Sequence, residues 1–227
     1  MVTFAKNKKY PFSNLFILQI TLQNLGKRFN REWIFRNVNL TLRAGESYVF
    51  VGPNGSGKST ILQVLMGTMP HTEGTILYQK NELEVLEIDV WYQHLALAAP
   101  YLELIEEFTL NELLDFHQNF KPFKKGISKA IFFENLELQT AQNKPIKYFS
   151  SGMKQRLKLG LALHSDVPVV LLDEPTANLD ARWSAWYKEQ VQRLAASQLL
   201  IICSNVPAEY DFCSNVISLE NYKKAGD

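Results

Sequence analysis

Nine consecutive residues, Gly52-Pro53-Asn54-Gly55-Ser56-Gly57-Lys58-Ser59-Thr60, constrain this chain more than any other feature. They satisfy the pattern G-x-x-x-x-G-K-[ST] at Gly52, Gly57, Lys58 and Ser59. The glycine spacing lets backbone N–H groups turn inward around a phosphate, and the loop opens a helix whose free N–H groups face the same anion. Lys58 supplies a point charge for the β- and γ-phosphates, and the Ser59 hydroxyl is a magnesium ligand candidate. The apolar run Ser47–Val51 ahead of the loop reads as a buried strand. Lys58 to Met66 behind it reads as a helix that stops at Gly67. Strand, glycine loop and helix together imply a parallel α/β core that binds a nucleoside triphosphate.

The rest of the composition narrows the class. A chain of 227 residues suits one core with small subdomains. A net charge of +1 gives no electrostatic reason to expect nucleic acid. The basic group Lys6, Lys8 and Lys9 reads as a solvated tail, with a membrane-surface contact as the alternative. No run approaches the roughly 20 apolar residues of a membrane span, and Met1 to Ser13 lacks the apolar stretch of a secretory signal. Cys203 and Cys213 have no metal or disulfide spacing, which fits a reducing cytosol, and the four histidines are scattered.

Along the chain, residues 1–14 read as a tail and 15–227 as one domain. Leu18, Ile20 and Leu22 alternate with polar residues, as do Val38, Leu40 and Leu42, which predicts two antiparallel strands before the phosphate loop. Gly74 to Tyr78 and Leu83 to Trp91 are expected to add strands to that layer. Leu95 to Ala99 reads as a core strand ended by Pro100. Thr109 with Glu112 forms a capping box, and Ser128 to Leu136 is a second helical stretch, so 100–148 reads as a helical subdomain. Val167–Leu172, Leu199–Cys203 and Val216–Leu219 read as further strands, with an amphipathic helix over Arg182 to Ala196.

Two more motifs carry chemistry. Val169-Val170-Leu171-Leu172 ends in Asp173-Glu174. At a strand's C-terminal end Asp173 would face magnesium, and Glu174 would orient the attacking water. Phe149-Ser150-Ser151-Gly152-Met153-Lys154-Gln155-Arg156 opens a helix with small hydroxyl residues, a second anion site. One triphosphate does not need both, so this second site is expected to contact a nucleotide held by another chain.

With these three motifs in order, the chain from Leu18 onward resembles the ATP-binding subunit of an ABC transporter. The resemblance implies a P-loop NTPase of ABC ATPase type, with a parallel-sheet core, an antiparallel β-subdomain and a helical subdomain. It casts Gly52–Thr60 as Walker A, Phe149–Met153 as the signature, Val169–Asp173 as Walker B and Ala177-Asn178-Leu179-Asp180 as the D-loop. Glu174 becomes the catalytic base. Phe29 becomes the ring that stacks on adenine, with Trp33 as the alternative. It further implies ATP and Mg2+ as ligands, with a second ATPase subunit paired head to tail, a homodimer being the simplest case. Ser150, Ser151, Gly152 and Asp180 would then face the partner's nucleotide. A separate transmembrane permease would hold the chain on the cytoplasmic face of the membrane.

Three departures stand out. The signature has Ser151 and Met153 where the family pattern LSGGQ has glycine and glutamine, and the Ser-x-Gly-Met-Lys-Gln-Arg form points to an exporter. Asn205 stands where the family places a histidine near the γ-phosphate. An amide donates one hydrogen bond there but carries no proton, so turnover is expected to be slow. No glutamine follows the strand before Pro100, and Gln93 is the remaining candidate for that role. A competing expectation is an ATP-gated dimerisation module with little hydrolysis. A DNA-repair ATPase of the superfamily fits poorly, because only 93 positions separate Lys58 from Ser151.

Overall fold

The computed structural model describes residues 18–81, 84–194 and 198–223. The basic tail at Lys6, Lys8 and Lys9, together with Leu15, Leu83, Ala195 and Ala196, lies outside them. In chain order the elements are β1 (Gln19–Phe29), β2 (Glu32–Arg43), β3 (Ser47–Val51), α1 (Lys58–Leu65), β4 (Glu73–Gln79), α2 (Ile88–Trp91), β5 (Leu95–Ala98), α3 (Leu110–Phe120), α4 (Lys129–Asn135), α5 (Ser151–His164), β6 (Val169–Asp173), α6 (Ala181–Leu194), β7 (Leu199–Cys203) and β8 (Asn215–Ser218).

Two sheets result. A wholly parallel one has strand order β5-β6-β7-β3-β8, and an antiparallel one has order β2-β1-β4. The parallel strands are short, and the central ones are almost continuously apolar, whereas the edge strand β8 begins and ends in polar residues. All five residues of β6 and of β7 are buried, as strands covered on both faces must be. From Leu18, just ahead of β1, through Ile20 and Leu22 within it, the alternation turns one face into the core shared with α1. The fold class expected from the sequence is the one observed.

Three apolar clusters organise the interior. One joins the antiparallel sheet to α1, a second packs α5 and α6 on the parallel sheet, and a third is formed by α3, α4 and the start of α5. The capping box at Thr109 is present: its hydroxyl accepts from the Glu112 N–H at 3.3 Å, and Glu112 Oε2 accepts from the Thr109 N–H at 2.8 Å. Phe132 stacks on Phe123 with centroids 5.0 Å apart, filling the third cluster.

Among the described residues one expected strand, Leu83 to Trp91, is absent. Gln79 and Val85 form only an isolated bridge, and Ile88–Trp91 is a helical turn. The apolar residues of this stretch do not share one sheet face. Ile88, Val90 and Tyr92 are exposed, whereas Trp91 is wholly buried and stacks on Tyr78 at 4.3 Å. The Trp91 indole N–H and the Tyr78 hydroxyl both donate to the carbonyl of Leu65 at the end of α1, at 2.9 and 3.1 Å. Trp91→Phe and Tyr78→Phe are each expected to lower stability by about 1 kcal/mol. The double variant should lose more than the sum, because only it removes both side-chain donors from that carbonyl; urea unfolding of the three proteins measures this.

Candidate functional site

Register places the candidate residues. Phe50 of β3 pairs with Cys203 of β7, and Cys203 pairs with Asp173 of β6. Ala98 of β5 pairs with Leu172. Four adjacent parallel strands therefore end level. The loops that leave them carry Gly52–Gly57, Ser204-Asn205, Glu174 and Ala99–Tyr101. Neighbouring strands lie about 4.8 Å apart, so the phosphate loop and Glu174 leave the sheet edge about 10 Å from each other.

The phosphate loop is held from beneath. Gly57 has φ 101°, and a Cβ there would sit 2.4 Å from the Cγ2 of Ile34, so the position needs glycine. Lys58 is buried, and its Nζ donates to the carbonyls of Gly52 and Pro53 at 2.8 and 3.2 Å. The Cys203 thiol, its pKa pushed well up by burial, donates to the Lys58 carbonyl at 3.2 Å and ties the first turn of α1 to the sheet. Ser59 and Thr60 follow in that turn, half-buried, while Pro53, Asn54 and Gly55 are exposed and Ser56 is buried.

Asp173 is only 2% exposed, and neither of its carboxylate oxygens has a hydrogen-bond partner. Burial raises its pKa, and the Glu174 charge adds to that. The Ser59 and Tyr101 hydroxyls and the Lys58 ammonium offset part of the shift. An orphaned buried carboxylate beside a serine hydroxyl is a donor set of oxygens, which suits a hard cation. Glu174, by contrast, is exposed. Its φ of 42° lies in the left-handed region, costing about 1–3 kcal/mol for such a residue. Its N–H donates to the Cys203 carbonyl at 2.9 Å, so β7 holds the strained turn in place.

Asn205 meets the phosphate loop directly. Its Oδ1 accepts from the Gly52 N–H at 3.3 Å, and its Nδ2 donates to Asn54 Oδ1 at 3.2 Å. Gln93 does not join this edge. It is exposed in a single turn at the opposite end of β5, where it donates to the Tyr92 hydroxyl at 3.3 Å. The loop after β5 brings Tyr101 instead, and its hydroxyl interacts with Asp173 and Gln63. No sequence signal singled out Tyr101; only the level strand ends reveal it.

The signature segment caps α5: Ser150 Oγ accepts from the Met153 N–H at 3.2 Å, with Ser150 and Ser151 exposed. Gly152 is half-buried, and a Cβ there would approach the Asn178 carbonyl to 3.3 Å, so this helix start and the D-loop lie in contact. Asp180 is committed locally, its Oδ1 accepting from the Trp183 N–H at 2.9 Å to cap α6. Two buried side chains of α5 escaped the sequence reading. Gln155 donates to the Pro175 carbonyl at 2.8 Å, and Lys158 donates to the carbonyls of Ala99 and Pro100 at 3.2 and 2.7 Å. One helix thereby holds both the Glu174 loop and the Tyr101 loop.

At the hairpin of β1 and β2, Phe29 is 45% exposed, with the Lys27 ammonium 4.7 Å from its ring centre. Trp33 lies between the guanidinium groups of Arg28 and Arg36, at 5.3 and 4.5 Å from its ring, so its ring is already engaged.

A glycine loop between strand and helix, with an acidic strand end beside it, defines a P-loop nucleotide-binding protein. The profile of the ABC transporter family matches residues 35–177, and the chain belongs to that family, as a nucleotide-binding subunit. A lantibiotic transport ATP-binding protein, SrtF of Streptococcus pyogenes, is 29% identical over 204 residues, covering 87% of this chain and 85% of the relative. The maltose/maltodextrin import ATP-binding protein MalK of Yersinia pestis is 33% identical over 187 residues; these cover 77% of this chain and 48% of MalK. Among solved structures, the dimeric structure of a bacterial ABC transporter cassette superposes with a TM-score of 0.73 at 23% identity, covering 88% of this chain and 93% of that one.

Asp173→Asn is expected to raise the melting temperature by a few degrees at pH 7 in the absence of nucleotide and metal, because it removes an unpartnered buried charge. A raised carboxyl pKa destabilises the folded state above the unfolded value, so the wild type should regain stability as pH falls and the gap should narrow. Thermal melts of both proteins between pH 5 and 8 check the sign.

Proposed function

We propose that this chain is the ATP-hydrolysing subunit of an ABC exporter, working as a head-to-tail dimer against a separate transmembrane permease on the cytoplasmic face of the membrane. The observation that carries this reading is the convergence of the phosphate loop, Asp173, Glu174 and Asn205 on one edge of the parallel sheet. No described helix is long and apolar enough to cross a membrane, which fits a permease on another polypeptide. The export assignment draws on the lantibiotic transport relative and on the Met153-Lys154-Gln155-Arg156 run, while the maltose relative is an import protein.

In this reading the N–H groups of the phosphate loop and of the first turn of α1 bind the β- and γ-phosphates. Lys58 exchanges its two carbonyl partners for phosphate oxygens. Ser59 and Asp173 are the residues that would hold Mg2+, which when bound neutralises charge developing on the phosphates. Glu174 orients the attacking water and accepts its proton. Phe29 stacks on the adenine. Ser150, Ser151, Gly152 and Asp180 close the partner's site, so the nucleotide spans the seam between two copies.

The Asn205 amide offers the reaction one donor and no proton. Lacking a charged or well-placed donor at a phosphoryl transition state typically costs about 2.7–4 kcal/mol, or about 10²–10³ in rate. Asn205→His is therefore expected to raise steady-state ATPase with little change in KM, and an unchanged rate counts against slow turnover at this position. Glu174→Gln should abolish turnover and trap a dimer with MgATP, visible by size-exclusion chromatography. A variant that stays monomeric when saturated with MgATP sinks the shared-site reading. The engaged Asn205 also favours a second reading, an ATP-gated dimerisation module. Phosphate release by the wild type with its permease present separates the two.

A further inference from the structure

Glu209 is 3% exposed and lies in the short turn Pro207–Glu209 that follows the Asn205 loop. One carboxylate oxygen accepts from the Thr176 N–H at 2.9 Å and from the Thr176 hydroxyl; the other accepts from the Ser204 hydroxyl. Thr176 is two residues beyond Glu174, and the Ala177 N–H donates to the Glu174 carbonyl at 3.0 Å, so this carboxylate grips the turn that carries the catalytic base. Ser204 directly precedes Asn205, and its Oγ also accepts from the Val206 N–H at 2.9 Å. The Tyr187 hydroxyl fixes Glu209 from below, donating to its backbone carbonyl at 3.0 Å.

We propose that Glu209 is a positioning residue that couples the loop of Asn205, which touches the phosphate loop, to the turn of Glu174. A displacement of Asn205 on nucleotide binding moves Ser204. Through the shared carboxylate it then moves Thr176 and the backbone that aims Glu174. The residue type matters here. Three donors from two loops converge on one side chain, and the Thr176 N–H can only donate, so the oxygen facing it must accept. A glutamine keeps the shape but faces the Ser204 hydroxyl with a neutral amide N–H₂, so the charge-assisted bond to that loop is lost. Three neutral donors around a buried carboxylate also form a network whose partial loss is felt throughout it.

The proposal rests on the hydrolysis reading for its rate effect, and its test therefore has one readout that needs no turnover. The full chain is compared with Glu209→Gln, which conserves shape, and Ser204→Ala, which cuts the other side of the link. The expected result is a fall in kcat of roughly tenfold in each, the size of one charge-assisted hydrogen bond. KM for MgATP should stay near wild type, and the melting temperature should fall by no more than the few degrees that one buried hydrogen bond supports. By amide hydrogen exchange, MgATP should still protect residues 52–60 in both variants. Its effect at Thr176 should be lost, whereas in the wild type the 204–206 loop and Thr176 respond together. Unchanged kcat with an intact nucleotide response at Thr176 overturns the coupling. So does a parallel loss of kcat, MgATP affinity and thermal stability, which is the pattern of a merely structural residue. A wild type that releases no phosphate removes the hydrolysis reading alone, and the exchange comparison still decides whether Glu209 links the two loops.

Discussion

Parallel register is the constraint on which the rest of this molecule depends. Phe50, Cys203 and Asp173 lie side by side across three strands, so the chain leaves each strand at the same level and on the same edge. A slip of one residue in β6 would send Asp173 to the other face of the sheet and bring Leu172 to the edge. What prevents the slip is burial on both faces. Val170 and Leu172 pack among α5 and α6, while Val169 and Leu171 pack towards α1, so no alternative register keeps both sets dry. The chemistry of the edge is thus fixed by hydrophobic residues that never touch a ligand.

Upon that fixed edge the structure superimposes two kinds of local tension. One is electrostatic: Asp173 sits without a partner in a place where its charge is disfavoured. The other is conformational, since Glu174 adopts a left-handed backbone that a glutamate avoids. Contacts from outside hold the turns that flank them. Cys203 receives the Glu174 N–H, Gln155 reaches the Pro175 carbonyl, and Lys158 draws the Tyr101 loop onto α5. Since α5 begins at Ser150 and Ser151, the helix that would present a serine edge to a partner's nucleotide also holds this chain's own reactive loops.

The sequence made the covalent order of the site legible, but not its lateral neighbours. Gly52–Thr60, Asp173-Glu174 and the Thr109 capping box were readable because each is a local arrangement with its own spacing. Tyr101 and Glu209 were not, because what matters about them is which strand lies beside which. Lys158 was hidden for a related reason: a lysine on a helix reads as solvent-facing until a loop from another element covers it and supplies two carbonyls. The missed turn at Ile88–Trp91 shows the limit of periodicity in a short segment. Alternation at Ile88, Val90 and Tyr92 mimics a strand, while the one residue that decides the packing, Trp91, belongs to the opposite set. Asp180 carries a second job that its motif position does not announce, since its Oδ1 caps its own helix.

Asn205 brings these threads together. An imidazole in its place could carry a proton or a charge to the phosphates; a carboxamide has only its carbonyl oxygen and its N–H₂ to offer, as acceptor and donor. Both are engaged by Walker A, at Gly52 and Asn54, so the loop after β7 is fastened to the loop after β3 across the register row that aligns them. Phosphates entering between Gly52 and Gly57 compete with the amide for the same backbone. The contact most exposed to that competition is also the one nearest to Ser204 and hence to the carboxylate beneath it. On the proposed hydrolysis reading, an amide at this position would be a weaker chemical participant than a histidine but would still sense whether the loop is filled. The level ends of β3, β7 and β6 place the Asn205 loop one strand from Glu174, with the Glu209 carboxylate between them.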